Sequence, residues 1–210
     1  MATFDERAKE WDTPDRVQRA DEVAAAMSAA VAMDRSMRAI EIGAGTGLLG
    51  LHFADRLRLL VLSDPSAGML EVADEKLRRG AIANVTTTHY DLLADPLPDR
   101  DFDLVLALLV LHHIDDTAAA LRAAHALLAP GGRLALADLD TEDGSFHSAE
   151  AEGIHHLGFD RKALANLARG AGFVDVAFTT ATTIEEDGRR YPLFLLTARR
   201  RVAAGSAGTG

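Results

Sequence analysis

Apolar residues follow two alternating periods along this chain. Short apolar runs at residues 37–42, 59–63, 103–111 and 133–139 have strand length, residues 85–89 form a β-branched, threonine-rich stretch of the same kind, and the run at 103–111 is apolar almost throughout, as in a sheet covered on both faces. Helical spacing fills the intervals. Met69, Leu70, Ala73 and Leu77 mark a helix over 67–79 with Ser66 as its cap and Gly80 at its stop, and a further helix over 117–128 ends before Pro130-Gly131-Gly132. Strands alternating with helices predict a doubly wound α/β fold with helices on both faces, and ligands are expected at the C-terminal ends of the strands.

The two ends of the chain depart from this alternation. Thr13-Pro14 reads as a cap followed by proline at the first helical position, and Val17, Ala20, Val23, Met27, Ala30 and Val31 predict an apolar stripe along a helix over 16–33. With Phe4 and Trp11 ahead of it, residues 1–35 are expected to cover the sheet and to act as a lid over its pocket. At the other end, a helix over 159–169 is broken by Gly172, and strands over 174–183 and 191–197 flank the turn-rich residues 185–188. The expectation is a seven-stranded, mostly parallel sheet closed by an antiparallel C-terminal hairpin. It forms a single domain over 36–202 with a flexible tail at 203–210.

The first strand runs into Glu41-Ile42-Gly43-Ala44-Gly45-Thr46-Gly47 and then into a helix-like segment over 48–57. Glycines there let a ligand lie against the main chain, and free N–H groups at a helix start attract an anionic or nucleotide-like group. Two registers compete. From Gly45 the spacing is Gly-x-Gly-x-x-Gly with Asp64 about 20 residues on, the fingerprint of dinucleotide binding. From Gly43 it is Glu-x-Gly-x-Gly-x-Gly, with the acid two positions ahead of the first glycine.

Composition narrows the partners. The formal net charge is -10, from 22 Lys and Arg against 32 Asp and Glu, and the basic run Arg199-Arg200-Arg201 reads as a strand end, so nucleic acid is not an expected substrate. The absence of cysteine excludes thiolate chemistry and disulfides. Residues 1–11 lack the apolar segment of a signal peptide, and the run at 104–111 is too short to span a membrane. A cytoplasmic protein without a membrane partner is expected.

Taken together, the motifs over roughly residues 37–200 resemble those of the class I S-adenosylmethionine-dependent methyltransferases. They are the Glu41 glycine loop, Asp64-Pro65-Ser66 with Met69-Leu70, Asp91-Leu92, Phe102-Asp103-Leu104-Val105 through Leu111-His112-His113-Ile114, and Leu128-Ala129-Pro130-Gly131-Gly132. The resemblance implies that S-adenosylmethionine is the cofactor and S-adenosylhomocysteine the product. Gly43, Ala44, Gly45 and Gly47 would pass under the methionine end with Glu41 in support, and Asp64 would hold the ribose hydroxyls. Pro65 and Met69 would pack near the adenine, Asp91 and Leu92 would read its amino edge, and the backbone near Leu108 would face the cofactor's amino group. A dehydrogenase using NAD, or a non-catalytic binder of the same cofactor, remains the alternative.

Methyl transfer from a sulfonium mainly requires positioning, so a base matters only for a protonated acceptor. His112 or His113 after the fourth strand and His147, His155 or His156 beyond the fifth are the candidate bases, with His112 and His147 placed first. Residues 134–160 contain Asp138, Asp140, Glu142, Asp143, Glu150, Glu152 and Asp160 but no Lys or Arg, which suggests a small acceptor that is neutral or cationic. No metal is expected. The Asp138-x-Asp140-x-Glu142 spacing lacks the glycine and the final glutamate of a calcium loop in their required places. Oligomeric state is not readable from the sequence.

Overall fold

Seven strands form one sheet in the order β3-β2-β1-β4-β5-β7-β6. They are β1 Arg38–Ile42, β2 Leu59–Asp64, β3 Val85–His89, β4 Phe102–Leu108, β5 Leu128–Leu139, β6 Phe173–Glu186 and β7 Arg189–Arg200. The computed structural model describes residues 3–96, 101–146 and 153–202. Strands β1 to β5 pair in parallel, whereas β7 is antiparallel to both β5 and β6. Inserting β7 therefore leaves β6 parallel to the first five, and β7 alone is reversed.

Alternation within each strand divides the core into two. From β1 and β5, Ala39, Ala135, Ala137 and Leu139 face one cluster with Val23, Met27, Phe53 and Leu77. Ile40, Leu134 and Leu136 face the other, with Ala120, Leu121, Leu164 and Ala168. The first cluster is covered by helix α2 (Pro14–Ala30), a 3-10 segment (Gly50–Arg56) and α3 (Ala67–Gly80). The second lies under α4 (Thr117–Leu127) and α5 (Arg161–Gly170). The period-two rule thus assigns Glu41 to the α2 side and Asp138 to the α4 side of the sheet. A short helix α1 (Phe4–Arg7) and a 3-10 turn (Ala8–Glu10) precede α2.

Several local expectations change. The helix-like segment expected over 48–57 is a 3-10 helix, Gly50–Arg56. Helix α3 includes Gly80, and its left-handed cap is Ala81 at φ 50°. Strand β4 stops at Leu108, because Leu109 takes φ 54° and turns the chain into a 3-10 turn at Leu111–His113. In α2, Val17 is exposed and the buried positions are Ala20, Val23, Ala24 and Met27.

Candidate functional site

The C-terminal ends of β1, β2 and β4 meet under the N-terminal segment, and a cavity of about 230 Å³ opens between them. Its floor is the glycine loop. Gly43, Gly45 and Gly47 have φ of 60°, 54° and 80°. At Gly43 the backbone demands glycine twice over, since a Cβ would also stand 2.5 Å from Val110 Cγ2. The loop is pinned by the Ala44 N–H donating to Ser63 O at 2.9 Å and the Gly45 N–H donating to Asp64 Oδ2 at 2.8 Å.

Below the loop, Glu41 is 2% exposed and its Oε2 has no hydrogen-bond partner. Burial pushes its carboxyl up to about 8, only partly offset by the Gly50 N–H, so it is protonated at pH 7. Gly50 is required here because the Glu41 carboxyl fills the space a Cβ would take. At the end of β2, Asp64 also accepts from the Ser66 N–H at 2.8 Å. Burial raises its carboxyl too, against the lowering effect of these two amide bonds.

Of the residues expected around the cofactor, Glu41, Gly43, Ala44 and Gly45 line this cavity, as do Asp64, Pro65, Met69 and Leu108. Gly47 does not; it shapes the turn behind, where Leu62 Cδ1 lies 2.9 Å from the position of a Cβ. Asp91 and Leu92 are not among the lining residues either. Asp91 Oδ1 caps the Leu93 and Ala94 N–H groups at 2.9 and 3.0 Å, and Leu92 packs against the α4-side core.

The histidines separate. His112 is 2% exposed, and its Nδ1 lies 2.7 Å from Asp138 Oδ1, while Asp138 Oδ2 accepts the Leu111 N–H at 2.9 Å. That pair holds the 3-10 turn against β5 on the far side of the sheet from Glu41. His113 instead lines the cavity, where Phe4 meets it edge-on at 5.6 Å. His155 and His156 are outside the lining, the latter on the Ile114 and Asp115 carbonyls, and His147 falls outside the described residues.

The acidic stretch is also consumed locally. Asp140 forms a fork with Arg161 at 2.6 and 2.7 Å, Glu142 accepts from the Gly144 and Phe146 amides, and Asp143 bonds Ser145. None of Asp138, Asp140, Glu142 or Asp143 lines the cavity, and Glu150 and Glu152 fall outside the described residues. Among the described residues, no three His, Asp or Glu side chains are grouped to hold a metal ion. No described helix is long and apolar enough to cross a membrane.

Phe4 and Trp11, expected in the lid, line the cavity from above, and so do Arg16 and Arg19, which the apolar spacing does not reveal. Arg16 stacks 4.0 Å over the Trp11 ring and donates to Trp11 O at 3.0 Å. Two polar anchors fasten this roof. Asp5 accepts from Ser66 Oγ and the Gly68 N–H, while Asp12 accepts from Thr46 Oγ1 and pairs with Lys76 at 2.6 Å. The available signal was the spacing Arg16, Arg19, Ala20, Val23, in which the arginines continue the buried face of α2.

Residues 40–134 match the methyltransferase-domain family. An uncharacterized methyltransferase of Schizosaccharomyces pombe is 32% identical over 149 residues, 64% of this chain and 52% of that protein. The chain therefore spans about half the length of this relative. A ubiquinone/menaquinone biosynthesis C-methyltransferase, UbiE of Shewanella sp., is 28% identical over 70% of each chain. Among solved structures, phosphoethanolamine N-methyltransferase 2 of Haemonchus contortus, in complex with S-adenosyl-L-methionine, superposes with a TM-score of 0.72 at 16% identity. The match covers 96% of this chain and 60% of that one.

Proposed function

We propose that this chain, a member of the class I S-adenosylmethionine-dependent methyltransferases, methylates a small molecule held between the glycine loop and the N-terminal segment. The observation that carries this reading is the convergence of Glu41, Gly43 to Gly45 and Asp64 on one cavity roofed by Phe4 and Trp11. These residues fit the cofactor. The unpartnered Glu41 oxygen can accept from its ammonium or from a water beside it, and Asp64 can exchange its two amide partners for ribose hydroxyls. Arg16 stands next to Trp11, whose Nε1 is 3.8 Å from the position of a Gly45 Cβ, which suits the amino-acid carboxylate.

The cofactor supplies a methyl group already activated by the sulfonium charge. The acceptor's lone pair forms the new bond to carbon, the C–S pair returns to sulfur as the thioether, and any acceptor proton departs to a base or to water. The protein's contribution is orientation and exclusion of water, within reach of ~7–11 kcal/mol. His113 is the base at hand in the cavity wall.

The cavity is smaller than the roughly 300–1,000 Å³ of ordinary ligand pockets. Admission of the cofactor therefore calls for the roof to lift. One of its anchors, the Asp12–Lys76 ion pair, is partly exposed and worth about 0–1 kcal/mol.

The test is to offer S-adenosylmethionine with pools of small amines, alcohols and phenols and to follow S-adenosylhomocysteine and methylated products by mass spectrometry. Product formation that Asp64→Ala abolishes is expected. Tight cofactor binding with no product from any pool would replace the enzyme with a binding protein.

A further inference from the structure

Arg16 and Arg19 occupy one face of α2, three residues apart, and both line the cavity. Neither forms an ion pair among the described residues. Arg19 Nε is buried and has no hydrogen-bond partner, which is costly for a group with so many donors. Burial and the neighbouring Arg16 both lower the Arg19 guanidinium from its ordinary value. The acids within its electrostatic reach, Asp15, Glu22 and Glu186, are solvent-exposed, and Glu22 is engaged by Thr182 and Gln18. Of the carboxyls that line the cavity, Glu41 is held protonated by burial and Asp64 bonds the Gly45 and Ser66 amides, and neither reaches Arg16 or Arg19 as an ion-pair partner.

The cofactor brings one carboxylate to this pair of guanidiniums. Arg16 lies toward Trp11 and the glycine loop, where that carboxylate fits. Arg19 lies toward Phe146, its guanidinium 6.0 Å from the ring centroid, beyond the end of β5. Resting on the methyltransferase reading above, we infer that Arg19 recognises the acceptor, and that the acceptor carries a carboxylate besides the nitrogen or oxygen that is methylated. This reverses the preference suggested by the acidic stretch, whose described members 138–143 bond elsewhere.

The experiment saturates the full chain with S-adenosylhomocysteine and titrates matched acid and amide pairs by calorimetry. Suitable pairs are 4-hydroxybenzoate with 4-hydroxybenzamide, 4-aminobutyrate with its amide, and 3-hydroxydecanoate with its amide. The acid of at least one pair should bind about 10- to 100-fold more tightly than its amide, the range for a hydrogen bond to a charged group. Arg19→Gln should reduce that preference to within about threefold, Arg19→Lys should keep part of it, and both should bind S-adenosylhomocysteine like the parent. Equal binding of acid and amide in every pair, or no binding of any, overturns the inference. So does a loss of S-adenosylhomocysteine affinity in Arg19→Gln as large as that in Arg16→Gln, which would assign both arginines to the cofactor. Failure of the parent protein to bind S-adenosylhomocysteine is a different result and overturns the cofactor reading itself.

Discussion

A buried carboxyl that keeps its proton at neutral pH makes stability fall as pH rises, and Glu41 is the group here that should do so. Its folded value of about 8 stands above the ordinary 4.5 because the side chain is enclosed beneath the glycine loop. Folding therefore takes up a proton between those two values. The stabilisation is complete below pH 4.5 and is lost as pH climbs through 8. At 1.36 kcal/mol per unit, the shift corresponds to roughly 5 kcal/mol in all. Glu41→Gln has nearly the same shape and cannot ionise. Urea denaturation of both proteins between pH 5.5 and 8.5 should show the parent losing about 3–4 kcal/mol relative to the variant across that range. Titration of the remaining groups is common to both proteins and cancels to first order. Parallel stability curves, within about 1 kcal/mol, would show that Glu41 is ionised in the fold and would refute the account of its burial.

Other consequences can be checked with single substitutions. Asp138→Ala removes both the partner of the buried His112 ring and the acceptor for the Leu111 amide, and leaving those two groups unsatisfied should cost about 2–6 kcal/mol in chemical denaturation. By contrast, His113→Ala should leave stability within about 1 kcal/mol and lower turnover of any protonated acceptor about 10²-fold or more. Gly43→Ala meets Val110 at 2.5 Å on a left-handed backbone, so a loss of about 2 kcal/mol or more in melting studies is expected, together with weakened cofactor binding. Trp11 is the only tryptophan, and its emission should change on cofactor binding; Asp12→Ala should shift the unliganded spectrum toward the solvent-exposed form by freeing the roof.

The order of strands and helices was legible because the inner strands β1, β2, β4 and β5 are largely buried and read as apolar runs, the edge strand β3 is marked instead by β-branched Thr86 to Thr88, and each α-helix carries its own cap. Boundaries failed where backbone conformation overrode residue type. Leu109 turns out of β4 with a left-handed backbone that nothing in an apolar run announces, and the same turn sends His112 into the core and His113 to the cavity. Gly80 looked like the natural stop for α3, yet the next residue, Ala81, takes the cap. The glycine loop was legible because close approach of the main chain needs glycine, and Glu41 and Asp64, marked by their spacing from it, line the same cavity. Arg16 and Arg19 were not legible, because a search for apolar stripes skips charged residues whose stems cover a cavity. The acidic stretch shows the converse: charge counted along a sequence does not reveal that Glu142 bonds backbone amides and Asp140 pairs with Arg161 away from the cavity.

The proposed site for S-adenosylmethionine is the Glu41 glycine loop together with Asp64. Calorimetric titration of the purified chain with S-adenosylmethionine, S-adenosylhomocysteine and NAD, alongside Asp64→Ala, tests it most directly. Micromolar binding of the first two, lost in the variant and absent for NAD, is the predicted result; binding of NAD in their place would contradict the account and restore the Gly45 register of the glycine loop.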